Sequence, residues 1–283
     1  MSDLSISIKQ LISKSIQEDI SHGDITTDSL IPPESNGLAV IVAKDSGILA
    51  GIHIAIEVFF QIDPDITYNM FVNDGDQVKN GDIVAELKGK TKSLLKAERL
   101  ALNFLQRASG IATETGEYVK KIEGTNARIL DTRKTTPGLR EIEKYAVTVG
   151  GGYSHRFNLS DGVLIKDNHI SSLRSELTLR DIISKARQNT PHTLTIEIEV
   201  ENYEDAKEAF EGKADIILLD NMTPENMKRV VELVDGQCLL EASGGINIDT
   251  VRLVAESGVD LISVGSITHS AKSLDISLDF RAE

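Results

Sequence analysis

From Ala127 onward the chain repeats one pattern: a short apolar run, a polar or glycine-containing turn, then an amphipathic segment. The apolar runs are ARILDT, GVLIKD, LTIEIEV, ADIILLD, CLLEAS and DLISVGS. Between the later ones, EDAKEAFEGK, PENMKRVVELV and IDTVRLVAESG carry apolar residues at helical spacing. Near-continuous apolar strands joined by helices predict parallel strands with helical crossovers, covered on both faces. All such strands end on the same side. Nearly every run here finishes in a polar residue: Arg133 and Lys134, Lys166, Glu199, Asp220, Ser243, then Ser266. In α/β barrels that side carries the active site, so the pattern predicts a barrel, closed or open, with these residues around its mouth.

The first half has a different texture. LAVIVAK, GILAG and FVNDGDQVKNGDIVAEL read as short strands, with turn chemistry at Asp74-Gly75 and Asn80-Gly81. IHIAIEVFFQI fits strand or helix, and helix is favoured. The start, MSDLSISIKQLISKSIQEDI, has a helical period and lacks the basic, continuously apolar character of a signal peptide. A long helix is expected from about Ser93 to Lys121, with Gly110 as a possible break point.

Charge narrows the function. With 44 acidic against 30 basic residues the net charge is -14, which argues against nucleic-acid binding through phosphates. No apolar run reaches membrane-spanning length, and a cytoplasmic location is the default expectation. Cys238, the one cysteine, precludes an intrachain disulfide; in QCLLEA it reads as a small buried hydrophobe. Against this acidic background a gathering of cations is informative. Arg133 and Lys134 are adjacent, and His155, Arg156 and Lys166 follow within a short segment, behind Gly150-Gly151-Gly152. Each alone is an ordinary surface charge. Together at a barrel mouth they suit a multiply charged anion such as phosphate, pyrophosphate or a dicarboxylate. Glu197, Glu199 and Glu201 share one face of an extended strand, with Asp220 on the next; they suit Mg²⁺ or a developing positive charge, or else pair with a lysine inside the barrel. Ser243-Gly244-Gly245 and Gly265-Ser266 have the form of phosphate-cradling loops. Residue chemistry thus points to phosphoryl or phosphoribosyl chemistry on an anionic small molecule, with aldolase, isomerase and decarboxylase activities still open.

The motifs DTRKT, GGGYSHR and LIKDNH, in this order and spacing, resemble the signature of quinolinate phosphoribosyltransferases. The resemblance runs nearly end to end, through EDISHGDITTDSLIP, KAERLALNFLQRASGIAT, IEIEVE, ILLDN, EASGG and VGSITHSAKSLDISLDF. It implies transfer of the phosphoribosyl group of 5-phosphoribosyl-1-pyrophosphate (PRPP) to quinolinate with loss of CO₂, giving nicotinate mononucleotide and pyrophosphate, a step of NAD biosynthesis. It implies an α/β fold with an N-terminal α/β sandwich over residues 1–114, an open, incomplete α/β barrel of parallel strands over 115–270, and a tail, 271–283, that packs back on the N-terminal domain. It implies a homodimer, or a higher oligomer built from it, in which one subunit's N-terminal domain closes the other's barrel. By the same resemblance Arg99, Arg133, Lys134, His155, Arg156 and Lys166 surround quinolinate, Arg99 arriving from the partner. Lys134, Lys166, Glu199 and Asp220 are the catalytic set and lie near PRPP, and Mg²⁺ sits near Glu199 and Asp220, mostly through PRPP. Ser243, Gly244, Gly245, Gly265, Ser266 and His269 hold the 5-phosphate. A molybdate-transport-associated paralogue, nicotinate phosphoribosyltransferase and a non-catalytic binding barrel are the competing readings. Intact motifs, and cations enough for two carboxylates, favour the quinolinate enzyme over all three.

Overall fold

The computed structural model describes residues 4–281. Helix α1 (Ile6–Ile20) starts at Ser5, whose hydroxyl accepts the Ile8 N–H at 3.2 Å, and α2 (Ile25–Leu30) starts at Asp24, which accepts from Thr27. There follow β1 (Asn36–Ala43), β2 (Gly47–Ile48), α3 (Ile52–Ile62), β3 (Thr67–Met70), β4 (Gln77–Val78), β5 (Ile83–Lys90) and the long α4 (Thr91–Lys121). The repeating part runs β6 (Arg128–Leu130), α5 (Arg140–Val149), β7 (Val163–Ile165), α6 (Asp167–Leu173), α7 (Leu179–Asn189), β8 (Ile196–Val200), α8 (Tyr203–Glu211), β9 (Ile216–Asp220), α9 (Pro224–Val234), β10 (Leu239–Ser243), α10 (Val251–Glu256), β11 (Leu261–Ser263) and the short α11 (Ser266–His269). Strand β12 (Ile276–Arg281) completes the described chain. IHIAIEVFFQI is a helix, as favoured, because both its flanks are turns and six of its residues are buried along it.

Two compact units emerge. The first comprises residues up to Gly116, Thr136–Gly151 and the chain from Ser270. Its antiparallel sheet has the order β12-β1-β5-β3, and β1 lies between β12 and β5 with Val40 opposite Asp279 on one side and Glu86 on the other. Strands β3 and β12 carry alternating polar residues and are short or near the chain end, and the sequence pattern did not single them out. The stretch 136–151, expected within the barrel region 115–270, clusters with this first unit. Glu143 on α5 is fully buried and accepts from Arg107 of α4 through Nη2 (2.9 Å) and Nε (3.2 Å), and from the Thr136 N–H. The boundary near residue 116 falls inside α4, where no turn marks it.

The second unit, Glu117–Thr135 and Gly152–His269, holds a six-stranded parallel sheet in the order β6-β11-β10-β9-β8-β7. Strands β7 to β11 are neighbours in chain order, so the sheet winds in one direction only, and β6 joins at the far side beside β11. Edges β6 and β7 do not pair with each other, so the barrel stays open. Part of the gap is taken by Tyr153, which runs parallel to β6 and exchanges backbone hydrogen bonds with Ile129 and Asp131. The central strands are buried on both faces, and their crossover helices start at side-chain caps, Asn202 before α8 and Thr223 with Pro224 before α9. No helix among the described residues is long and apolar enough to cross a membrane.

Gly110 does not break α4, which is continuous through it. Its role is close approach: a Cβ built there would collide with the carbonyl oxygen of Lys272. Gly110→Ala is therefore expected to lower the unfolding free energy by about 1–3 kcal/mol. Denaturant titration checks it, and an unshifted midpoint would show that the 272–273 backbone can yield.

Candidate functional site

The strand ends of the second unit surround a cavity of about 830 Å³. Its floor and walls are set by the parallel ladder. Register pairs Ser243 with Asp220 across β10 and β9, and sets Glu199 and Glu241 level with Leu218, two residues deeper, so the polar strand ends fall in successive layers. Thirteen residues singled out from sequence line it: Arg133, Lys134, His155, Arg156, Lys166, Glu199, Asp220, Ser243, Gly244, Gly245, Gly265, Ser266 and His269. Arg99 lies elsewhere, on α4 in the first unit, with a mostly exposed side chain and Glu98 3.9 Å away.

The loop after β6 is held from two sides. The Lys134 N–H donates to Thr132 Oγ1 (3.0 Å), and Thr268 Oγ1, fully buried, donates to the Lys134 carbonyl (2.8 Å). The Lys134 side chain then passes over Gly265. Beneath it Asp131 is fully buried and accepts from Ser154 Oγ (3.0 Å) and the His155 N–H (2.9 Å), which ties the HR segment to the end of β6. Lys166 reaches Glu199, with Nζ 3.3 Å from Oε2. Asp220 accepts from Asn221 Nδ2 (2.6 Å).

Electrostatics make the site receptive to anions. Burial, and after it the neighbouring Arg133, work against the charge on Arg156, and Glu197 favours it. A guanidinium keeps its proton under such pressure, so the energy of holding two of them together is relieved by a bound anion. Glu199 is pushed above the ordinary glutamate range chiefly by burial, against the pull of Lys166, with Asp220 adding to the rise.

Three details differ from the sequence reading. Glu201 lies beyond the end of β8 and is exposed, so only Glu197 and Glu199 share the inward face. Glu197 pairs with His155 (Nε2–Oε2 3.1 Å) rather than with a lysine. Cys238 is half-buried, and burial pushes its thiol up to about 11, which keeps it protonated and unreactive at neutral pH. Sequence reasoning also passed over Glu241, Asn221 and Asn247, which line the cavity, and Asp131, which supports it. Glu241 was detectable: in EAS it stands two residues before Ser243 and so faces the same way.

Gly244 has φ +91°, and a Cβ there would overlap the Asn221 amide. Gly244→Ala is expected to cost about 1–2 kcal/mol for the left-handed backbone alone. It should also weaken the thermal protection given by inorganic phosphate; equal protection of both proteins would detach this loop from anion binding.

Comparison with known proteins follows the same lines. Residues 24–109 match the family model for the quinolinate phosphoribosyl transferase N-terminal domain, and residues 111–279 that for its C-terminal domain. A Bacillus subtilis protein described as a probable carboxylating nicotinate-nucleotide pyrophosphorylase is 44% identical over 274 residues, covering 97% of this chain and 93% of that one. A mitochondrial, decarboxylating quinolinate phosphoribosyltransferase of Nicotiana glauca is 37% identical over 98% of this chain and 83% of its own. The crystal structure of NadC from Streptococcus pyogenes superposes with a TM-score of 0.94 at 40% identity, each chain covered in full.

Proposed function

The chain belongs to the quinolinate phosphoribosyltransferase family, enzymes that transfer the phosphoribosyl group of PRPP to quinolinate with decarboxylation, and from that premise we propose how its cavity divides the work. The observation that carries the reading is the pairing, in one cavity, of four cations with two carboxylates at strand ends. Arg133 and Arg156, which resist each other's charge, take the two carboxylates of quinolinate. A single-carboxylate substrate such as nicotinate would leave part of that charge uncompensated. Lys134 and Lys166 serve the phosphates as mobile point charges. The backbone of Ser243, Gly244, Gly245, Gly265 and Ser266, with His269 at the cavity edge, holds the 5-phosphate.

When pyrophosphate leaves, positive charge develops on the ribose. Glu199 and Asp220 stand on adjacent strands to stabilise it, with no reorganisation needed at the moment of reaction. The ring nitrogen, cationic once bonded to the ribose, stabilises the electron pair left on the adjacent ring carbon when CO₂ departs, and a proton from solvent then takes the place of the carboxylate. The donor set suits Mg²⁺ held mostly by substrate phosphates, with one protein carboxylate. Asp220 fits that role; Glu199, already engaged by Lys166, does not. When bound, Mg²⁺ neutralises charge on the leaving pyrophosphate. Arg99, exposed on α4 in the unit that lacks the cavity, is assigned to a partner's site in a homodimer. A cytoplasmic location completes the reading.

Because Glu199 must be ionised to stabilise the ribosyl centre and burial raises its pKa, turnover should fall on the acid side at a pH above the ordinary glutamate range. Glu199→Gln is expected to lower kcat by about 100-fold or more with little change in the KM for quinolinate. It should also remove that acid limb. Unchanged turnover would end the proposed role. The shared site is tested by mixing Arg99→Ala and Lys166→Ala proteins: each alone should be inactive and the mixture active. A mixture as inactive as its parts would place Arg99 outside the partner's site.

A further inference from the structure

Below the cation layer, His155, Glu197 and Glu241 form a cluster in which one ring nitrogen and one oxygen from each carboxyl lie within 4.8 Å of one another. His155 Nε2 is 3.1 Å from Glu197 Oε2 and 3.5 Å from Glu241 Oε2. Glu241 is 1% exposed and Glu197 4%. Among the described residues, no protein hydrogen bond reaches the buried oxygens of Glu241 or Oε1 of Glu197. Two full negative charges in that position would be costly.

The histidine tautomer fixes the proton count. His155 Nδ1 lies 2.7 Å from the backbone N–H of Arg156, which can only donate. Nδ1 is therefore an acceptor and carries no proton, so the ring is neutral and its hydrogen is on Nε2, directed at the carboxylates. This also argues against a metal: the spacing would suit a divalent ion, but Nε2 presents a hydrogen where a ligand needs a lone pair. A neutral imidazole supplies no positive charge to offset two carboxylates. One of them must carry a proton, as in other close carboxyl pairs.

We propose that Glu197 and Glu241 hold one proton between them beneath neutral His155, and that this cluster is the positioning base of the cation site. It sets the Arg156 backbone through Nδ1 and leaves one negative charge under the two guanidiniums. The role rests on the assignment of Arg133 and Arg156 to the quinolinate carboxylates. His155 is then a positioning group with both ring nitrogens turned inward, not a direct donor to substrate. Burial, followed by the charge of Glu197, raises Glu241 well above the ordinary carboxyl range. A second cavity, of about 460 Å³, reaches the same cluster from the other side between Arg128, Asp161 and Thr195, and provides a path for proton exchange.

The charged groups around the pair are Arg156 beside Glu197, Arg133 beyond it, Asp131 at the end of β6, Glu199 and Lys166 in the upper cavity, and Arg128 and Asp161 in the lower one. Arginines stay charged across the neutral range, and Glu241, raised to about 8, changes its protonation within it. As pH rises and the shared proton leaves, the second negative charge weakens the field that holds the substrate's carboxylates.

The test uses the intact enzyme with Glu241→Gln and, should that variant fold poorly, Glu197→Gln, which removes the same proton-sharing pair. Infrared spectra at about pH 7 should show a protonated-carboxyl band in the wild type that is lost in either variant. Between about pH 6 and pH 9 the quinolinate KM of the wild type should rise on the order of tenfold, and the variants should lose that rise. Absence of the band from folded wild type overturns the shared proton. Stoichiometric Zn²⁺ binding lost in Glu241→Gln overturns it as well, by showing that Nε2 is a ligand. A band that is present, with the same KM profile in wild type and variant, overturns the positioning role. Failure of the wild type to use quinolinate at all would instead overturn the assignment of Arg133 and Arg156, and the infrared result would stand apart from it.

Discussion

A parallel β-ladder sends every strand out on the same side, and that constraint organises the catalytic unit. The hydrogen bonds of β7 to β11 fix the register, and register decides depth: Asp220 and Ser243 come level, Glu199 and Glu241 both come level with Leu218, and Glu197 lies two residues deeper, level with Ile216. Residues far apart in the chain thereby form stacked layers, from a polar rim open to ligand down to a buried floor. The crossover helices and their caps keep the strands from slipping, because a shift of one residue would turn each carboxylate into an apolar helix layer.

The layering resolves an electrostatic difficulty. Cations must be concentrated to bind polyanions, yet guanidiniums brought together resist one another, and the protein as a whole carries a net charge of -14. Carboxylates beneath the cations ease the repulsion, but too many would cancel the field that the ligand needs. The Lys166–Glu199 contact and the floor beneath Arg156 are two settings of this balance, one half-exposed and one buried. Interactions in the buried layer are less screened by salt, so small changes of charge there carry further than at the rim.

Much of this was legible in the sequence because period and punctuation agree with the fold. Apolar runs of the right length gave the parallel strands, and polar residues at their ends gave the rim. What escaped was either a matter of depth or a matter of distance. Period two puts Glu197, Glu199 and Glu201 on one face, but only the strand's end at Val200 decides that the last is outside. Nothing in a linear pattern shows that His155 Nδ1 meets the next residue's own N–H. Strand β12 and the stretch 136–151 join partners remote in sequence, and their local composition carries no sign of it. Gly110 read as a helix break because glycine's two uses, bending and close approach, share one letter.

Strand β1 has a neighbour on either edge, and the two are made at very different times. Strand β5 follows within the same half of the chain, but β12 comes only after the whole barrel has been synthesised. Until then the outer edge of β1, from Leu38 to Ala43, is an open row of backbone donors and acceptors beside buried apolar side chains. During synthesis the first unit is thus an unfinished sheet waiting for its last strand, at risk of pairing with another nascent chain. Its completion is delayed by contacts that span nearly the full polypeptide, a long-range closure of the kind that slows folding.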